Sequence, residues 1–485
     1  MIDFLDINIS ELRRGFQKKD FGVEEILGFY VERMEKINTD LNAILSFDKD
    51  EIDRKAKESQ ERYDASIERK LEGVPVVIKD ILNLQGTITT SGSKMLANYR
   101  SPYTATAVQR LIDEGAIILG KANMDEFAMG SSGENSAFGV TKNPWDLERV
   151  PGGSSSGSAA SVASGMCIAS LGTDTGGSIR QPASLCGLYG LKPTYGRVSR
   201  YGAMALGSSL DQIGPFARNV DDLAKIYEVI AGWDVKDSMT EKISVEEIDF
   251  SRTDRVVGLK IALVKELYEK ADIELKTVLE DVVEKLKKIG SQVDEVSWSE
   301  LEMSIPIYYI IQPSECSANL ARYDGIRYGF GVEKDQINSD LVSSNREKGF
   351  GDEVKRRIML GTYSLSSGYY DDYFQKAAKA RTILIKKAKK MFDQYDLLLG
   401  LTSPFTAFKI GEKVSDPLQM YLSDIMTVGV SLVGLPAINV PAGLVNGLPV
   451  GIQIVGKWFD EENILLMAKS LENEGIFCYK PEKYS

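Results

Sequence analysis

Residues 151–165 read PGGSSSGSAASVASG. The stretch contains G-x-S-x-G as GSSSG, with Ser155 at its centre. That pattern is the strand-to-helix elbow that exposes a nucleophilic serine in α/β-hydrolases. An elbow serine of that kind needs a histidine to take its proton. The 485 residues include no histidine. Ser-His-Asp triads, Cys-His dyads and imidazole metal sites are therefore excluded from anything built of this chain alone. A serine nucleophile here needs another base, and a lysine with a lowered pKa is the available type.

Composition narrows the class. The length suits two or three average domains or one large α/β unit. Apolar residues make up 43%, enough for a large core. Lys plus Arg number 58 against 70 Asp plus Glu, a net charge of −12. Such a chain is a poor lone binder of nucleic acid, since phosphate neutralisation needs clustered cations; a basic partner is not excluded. Cysteines stand at 167, 186, 316 and 478 with no C-x-x-C. They read as small core residues of a reduced, cytoplasmic protein. The opening MIDFLDINISELRR carries acids and lacks the apolar core of a signal peptide. The run 426–445, MTVGVSLVGLPAINVPAGLV, is broken by prolines, glycines and an asparagine, so it reads as short buried strands and turns rather than a membrane span.

The hydrophobic pattern implies alternating strands and helices. GVEEILGFYVERMEKI at 22–37 has helical periodicity, and 48–70 is charge-dense, like an exposed helix. GVPVVIKDI from 73 and GAIILGKAN at 115–123 read as buried strands. At 258–266, GLKIALVKE is a strand. Leu275, Val278, Leu279, Val282, Leu286 and Ile289 then mark one helix face, and Gly290 sits at a C-cap. With SQVDEVSW following, strand, helix and strand imply a parallel pair. A further helix is expected over 374–394, its Lys and Arg cluster at 376–390 being a solvated face, followed by the strand-like DLLLGLTSP.

Several motifs compete for the chemistry. GAIILGKA at 115–122 begins as a P-loop, but Ala122 stands where Ser or Thr should bind magnesium, and AIIL is strand-like. LGTDTGGSIRQPAS at 171–184 places Ser178 on a tight turn after a strand. Its adjacent glycines let backbone N–H groups converge, as in an oxyanion hole. Lys79 ends the apolar GVPVVIKD, where burial makes a neutral amine accessible; a pair with the adjacent Asp80 is the plainer reading. Lys121 and Lys192 are equally possible bases on spacing alone.

Lys79 in GVPVVIKDI, Ser154 in PGGSSSGSAASVASG and Ser178 in GTDTGGSIRQPAS, with GLKPTYGRVSRYG after them, together resemble the amidase signature family. The resemblance covers essentially the whole chain and is strongest over 73–215. It implies a Ser-Ser-Lys triad with Ser178 as nucleophile, Ser154 as proton bridge and Lys79 as base. It also implies a cis peptide at Gly153–Ser154, an oxyanion hole from the backbone of Thr175, Gly176, Gly177 and Ser178, and a structural role for Ser155. Two departures from the family pattern, Ala122 and Gly133, bear on local packing rather than on the triad.

The implied fold is one α/β/α unit over 1–485, a large mixed sheet flanked by helices. Residues 1–70 are expected to be mainly helical, 73–215 to form the signature core, and 300–395 to be a helical insertion. YYIIQPSECSANLARYDGIRYG at 308–329 and RRIMLGTYSLSSGYYDDYF at 356–374 are similar to the A subunits of tRNA-dependent amidotransferases. This group implies glutamine hydrolysis, with the ammonia passing to a B subunit that uses ATP and Mg2+ on charged tRNA, Glu-tRNA(Gln) or Asp-tRNA(Asn). A small C subunit completes the heterotrimer, and no cofactor, metal or membrane is assigned to this chain. Arg357, with Arg356 beside it, and Asp424 are then expected to hold the charged groups of glutamine. Without the resemblance, Arg357 reads as a helix-surface residue and Asp424 as the cap of a helix starting at 425. A free-standing amidase for small amides and a non-catalytic scaffold are the alternative functions.

Overall fold

The computed structural model describes residues 4–333, 335, 337, 340–414, 416–476 and 480–484. Its strands are β1 Ile44–Ser46, β2 Pro75–Lys79, β3 Ile117–Ala122, β4 Ala169–Asp174, β5 Tyr189–Lys192, β6 Gln212–Ala217, β7 Lys260–Val264, β8 Gln292–Val296, β9 Leu397–Leu401, β10 Ala437–Val445 and β11 Leu448–Val455. They form one 11-stranded sheet in the order β1-β3-β2-β4-β6-β5-β10-β11-β9-β7-β8. β2 runs parallel to β3 and β4, and β7 runs parallel to β8 and β9. The remaining neighbours are antiparallel, so the sheet is mixed. Every residue of β2, β4 and β9 is buried. Their continuous apolar runs follow from helices covering both faces.

One helical layer follows the sheet through Thr106–Asp113, Val220–Ile230, Glu461–Asn473 and Ile273–Ile289, each touching the next. The opposite layer contains Ser156–Ala163 and Arg180–Cys186, and it continues into Ser304–Asn319, Asp352–Leu365 and Lys376–Phe392. The N-terminal helices are Ile9–Lys18, Val23–Leu41 and Lys49–Asp64. The last is shorter than 48–70. It also buries Ile52, Ala56, Ser59 and Tyr63, so it is an amphipathic helix rather than an exposed one.

The β7–helix–β8 unit forms as its pattern requires. Gly290 closes the helix at φ 103, and its N–H reaches the carbonyls of Leu286 and Lys287. Leu275, Leu279, Val282 and Leu286 are buried, while Val278 and Ile289 are half-buried flanks. The 426–445 run divides differently from its reading as strands and turns. Val428–Val433 is a buried helix, ended by Gly434 at φ 79 before Pro436, and only then does β10 begin. Gly followed closely by Pro is a helix stop, which the apolar character of the run conceals. Among the described residues no helix is long and apolar enough to cross a membrane. Cys167, Cys186 and Cys316 are buried free thiols; Cys478 lies outside the described residues.

Burial separates residues that share a helix. Leu286 is 0% exposed, whereas the Glu284 side chain is 69% exposed. Leu286→Ala should cost about 2–5 kcal/mol in chemical denaturation, and Glu284→Ala under about 0.5 kcal/mol.

Candidate active site

Lys79 is the last residue of β2 and Asp174 the last of β4. Because the two strands are parallel neighbours, their carboxyl ends open on the same side. Open α/β sheets place ligands there. The lysine side chain is fully buried. Its Nζ lies 2.8 Å from Ser154 Oγ and 2.8 Å from Thr173 Oγ1. Burial lowers the Lys79 pKa from 10.5 to about 7, against the opposing pull of Asp125, Asp174 and Asp211. Asp80 does not neutralise it. Successive strand residues point to opposite faces, and Asp80 turns to Thr90 and to Lys121, whose Nζ is 3.2 Å away.

The competing lysines are separated by geometry and not by basicity. Lys121 is held by Asp80, the Leu82 carbonyl and Thr89. Burial also lowers Lys192 to about 7, yet its Nζ contacts the Pro193 carbonyl at 3.1 Å and no serine. Of the three, Lys79 is the one that touches a hydroxyl of the Ser-Gly segments.

The serines take distinct positions. Ser154 follows a cis Gly153–Ser154 peptide. A Cβ on Gly153 would come within 2.1 Å of Asp125 Oδ2 and 2.7 Å of the Ser132 nitrogen, so only glycine fits. The Gly153 N–H donates to Gln181 Oε1 at 3.0 Å. The Ser155 hydroxyl bonds the Thr173 carbonyl at 3.2 Å and accepts the Thr173 N–H at 3.3 Å, stitching this segment to β4. Ser178 lies between β4 and helix Arg180–Cys186 and keeps 9% of its surface, against 0% for Lys79 and Ser154. Ser178 is thus the most exposed of the three. Gly177 has φ 153, and a Cβ there would fall 2.2 Å from Thr427 Oγ1. The N–H groups of Thr175, Gly176, Gly177 and Ser178 have no acceptor among the described residues.

A second cluster lies beside this loop. Arg357, on helix Asp352–Leu365, is 3% exposed. It donates to Glu353 at 2.8 Å and Gln312 at 2.9 Å, and its guanidinium sits over the stacked rings of Tyr309 and Tyr421. Arg356 points outward and pairs with Glu353. Asp424 is buried and accepts Ser131 Oγ at 2.5 Å. Burial raises its carboxyl to about 7, while Ser131 and Arg357 pull it down. It is not a helix cap: its carbonyl takes the Thr427 and Val428 N–H groups, and the carboxylate turns to Ser131. A Cβ on Gly177 would stand 3.5 Å from Asp424 Oδ1, which puts this carboxylate next to the Ser178 loop. Arg357, Glu353 and Tyr421 border a cleft of ≈ 490 Å³.

The family model described as Amidase matches residues 25–465. The chain belongs to the amidase family. It is 48% identical over 482 residues to the glutamyl-tRNA(Gln) amidotransferase A subunit of Thermoanaerobacter pseudethanolicus, covering 99% of each chain. The corresponding A subunit of Geobacillus thermodenitrificans is 48% identical over 473 residues, covering 97% of this chain and 98% of that one. Among solved structures, the glutamyl-tRNA(Gln) amidotransferase A subunit from Thermotoga maritima is 40% identical with a TM-score of 0.80, over 98% of this chain and 96% of that chain. The peptide amidase of Stenotrophomonas maltophilia is 27% identical with a TM-score of 0.79, over 98% of both chains.

Several side chains of this amidase's site lie outside the residues that sequence reasoning singles out. Thr173 shares the Lys79 amine, Ser131 holds Asp424, and Tyr309 and Tyr421, stacked on each other, lie against Arg357. Gln181 joins the two loops by accepting from Gly153 and donating to the Ser131 carbonyl at 2.8 Å. Gly133, one of the departures from the family pattern, has φ 86, and a Cβ there would lie 2.6 Å from Ser156 Cβ, so glycine suits its surroundings. Ala122 is buried and pairs with Lys79 across β2 and β3.

The loop bearing Ser178 is held by a buried ion pair. Arg180 Nε lies 3.0 Å from Asp174 Oδ2, both side chains at 0% exposure. Arg180 also reaches Gln453, Ser431 and the Thr427 carbonyl. Burial pushes the Asp174 carboxyl up, but Arg180, together with Lys192 and the Ile179 N–H, outweighs it and the net shift is down. Arg180→Leu would leave Asp174 buried and unpaired. It should cost about 3–5 kcal/mol in chemical denaturation, the scale of breaking a buried pair.

Proposed function

We propose that this chain is the glutamine-hydrolysing component of a tRNA-dependent amidotransferase. The observation that carries the reading is the contact between Lys79 Nζ and Ser154 Oγ at 2.8 Å in a fully buried site. A lysine with a pKa of about 7 is substantially neutral at physiological pH, so its lone pair can take a proton. Ser178 Oγ attacks the side-chain carbonyl carbon of glutamine. Its proton passes to Ser154 Oγ, and the Ser154 proton passes to Lys79. The free N–H groups of Thr175 to Ser178 receive the oxyanion. When the C–N bond breaks, the nitrogen takes a proton back along the relay and leaves as ammonia. Water then opens the acyl-enzyme by the same route and releases glutamate. Arg357 holds the α-carboxylate by its planar fork, and Asp424 holds the α-ammonium.

The whole-length likeness to proteins named as the A subunits of glutamyl-tRNA(Gln) amidotransferases supports the remaining steps. The ammonia passes to a B subunit, where ATP and Mg2+ activate the glutamate of Glu-tRNA(Gln), and a C subunit completes a cytoplasmic heterotrimer. The same chemistry would serve Asp-tRNA(Asn). The net charge of −12 suits a chain that leaves tRNA to its partner.

Labelling with a glutamine analogue that acylates serine should be abolished in Ser178→Ala and reduced by several orders of magnitude in Ser154→Ala, yet remain in Ser155→Ala. Lys79→Arg should be nearly inactive, because a guanidinium stays charged. Glutamine hydrolysis should rise when the B and C partners and charged tRNA are added. A Ser155→Ala protein as inactive as Ser178→Ala while folded, or full turnover indifferent to partners, would refute the reading.

The pH profile separates the two clusters. Lys79 must be neutral and Asp424 ionised, and both conditions fail as pH falls through about 7. For glutamine, kcat/KM should fall with two protons on the acid side; for a simple alkyl amide without the α-groups, with one. Asp424→Asn should reduce glutamine use by roughly 2 kcal/mol and make its acid limb match that of the simple amide. Identical limbs for both substrates in the wild-type chain would remove Asp424 from recognition.

A further inference from the structure

Glu126 lies in the turn after β3, and its side chain is 3% exposed. Ser93 Oγ donates to one carboxylate oxygen. The other accepts the N–H of Gly351 at 2.8 Å. Both oxygens are thus occupied by the protein, and neither faces the serines or the lysine of the catalytic relay. Gly351 immediately precedes helix Asp352–Leu365, which has no side-chain cap of its own. Its φ of −72 and ψ of 170 suit any residue, so backbone freedom does not explain the glycine. A Cβ there would stand 2.4 Å from Glu126 Oε2. The missing side chain is what lets the carboxylate reach the backbone. Burial raises the Glu126 carboxyl to about 7 while the Ser93 and Gly351 contacts pull it down; in its ionised form it also complements the helix dipole.

The rest of the junction agrees. Phe350 packs edge-on against Phe127 with ring centroids 5.8 Å apart, and Ser93 Oγ approaches the Gly349 carbonyl at 3.4 Å. The far half of the same helix is wedged against Ser304–Asn319, where a Cβ on Gly361 would meet the Pro313 carbonyl at 1.8 Å. Arg357 lies between these two anchors, on the cleft that Glu126 also borders.

We propose that Glu126 is a positioning residue for glutamine specificity: it pins the N-terminal end of helix Asp352–Leu365 to the turn after β3 and so fixes Arg357 where the α-carboxylate docks. The inference rests on the role given to Arg357 above. Loss of the pin lets one end of the helix shift, and a small displacement of a fork-shaped guanidinium weakens its hold on a planar carboxylate. The nucleophile, relay and oxyanion groups stand on other elements and keep their geometry.

The test uses the full chain with two substrates, glutamine and a simple alkyl amide without the α-carboxylate and α-ammonium. Glu126→Ala should raise KM for glutamine about ten-fold while kcat changes less than about three-fold, and kcat/KM for the simple amide should stay within about two-fold. Gly351→Ala attacks the same contact from the other side and should give the same split. Glu126→Gln, which keeps an acceptor oxygen, should restore most of the affinity. Arg357→Lys is measured in parallel. If Arg357→Lys leaves glutamine KM unchanged, the recognition reading falls and this inference with it. If Arg357→Lys raises KM but Glu126→Ala and Gly351→Ala do not, or if they reduce both substrates equally, the positioning role alone is overturned.

Discussion

The site depends on a lysine buried among hydroxyls. Removing an ammonium from water without an ionic partner makes the neutral amine accessible near pH 7. From 10.5 to about 7, that shift disfavours the charged form by on the order of 5 kcal/mol. A carboxylate in contact would cancel the effect, and strand geometry prevents it. Asp80 is adjacent in sequence but leaves β2 on the opposite face, where Lys121 and Thr90 take it. Asp125, Asp174 and Asp211 act on Lys79 only through space, and Asp174 is itself committed to Arg180. The active site is therefore as much an arrangement of where the acids go as of where the base is.

That arrangement explains the richness in glycine and serine. Three loops converge over the carboxyl ends of β2 and β4, and each must bury backbone N–H and C=O groups. Short hydroxyl side chains answer some of them. Ser155 serves both backbone groups of Thr173, and Ser158 and Ser170 reach the carbonyls of Leu171 and Ser158. The Asp125 carboxyl, which burial raises to about 6, accepts the N–H groups of Gly133 and Asn135. Gly130 and Gly153 leave room for it. Among the described residues the N–H groups of Thr175 to Ser178 have no acceptor, and neither do those of Gly130, Ser131, Ser132 and Ser154 in the neighbouring loops.

Local elements were readable from the sequence because their causes are local. The apolar runs of β2, β3 and β9, and the helix that Gly290 ends, follow from periodicity and capping. The choice of base was not readable in this way. Lys79 and Lys192 end buried strands and Lys121 stands one residue before the end of another, and two of them reach a similar pKa; only the tertiary contact with Ser154 separates them. Asp424 misleads as a cap because its partner Ser131 is 293 positions away in the chain. The sequence does carry a signal that chooses between Arg356 and Arg357. Val354, Arg357, Gly361 and Ser364 are the buried residues of their helix, and their spacing of three and four puts Arg357, not Arg356, on the inward face.

On the proposed function, chemistry and selectivity occupy different parts of the chain. The lysine, the serines and the oxyanion loop sit within 75–192, on strands and on loops fixed by them. Arg357, Tyr309, Tyr421 and Asp424 come from 304–365 and from 417–433, outside that core. On that reading, a core that activates a serine needs something else to demand a free amino acid, and the Arg357 guanidinium beside the cleft and the Asp424 carboxylate beside the Ser178 loop would supply that demand through charge. Their mutual attraction opposes the burial that raises Asp424. The cost of desolvating each is thereby partly offset before a zwitterionic ligand arrives. Separating the two parts allows a shared sheet and loop frame to serve amides of different kinds. What such a division requires is a fixed distance between parts that are far apart in sequence, and the carboxylate of Glu126 against the backbone of Gly351 is a direct bond between them.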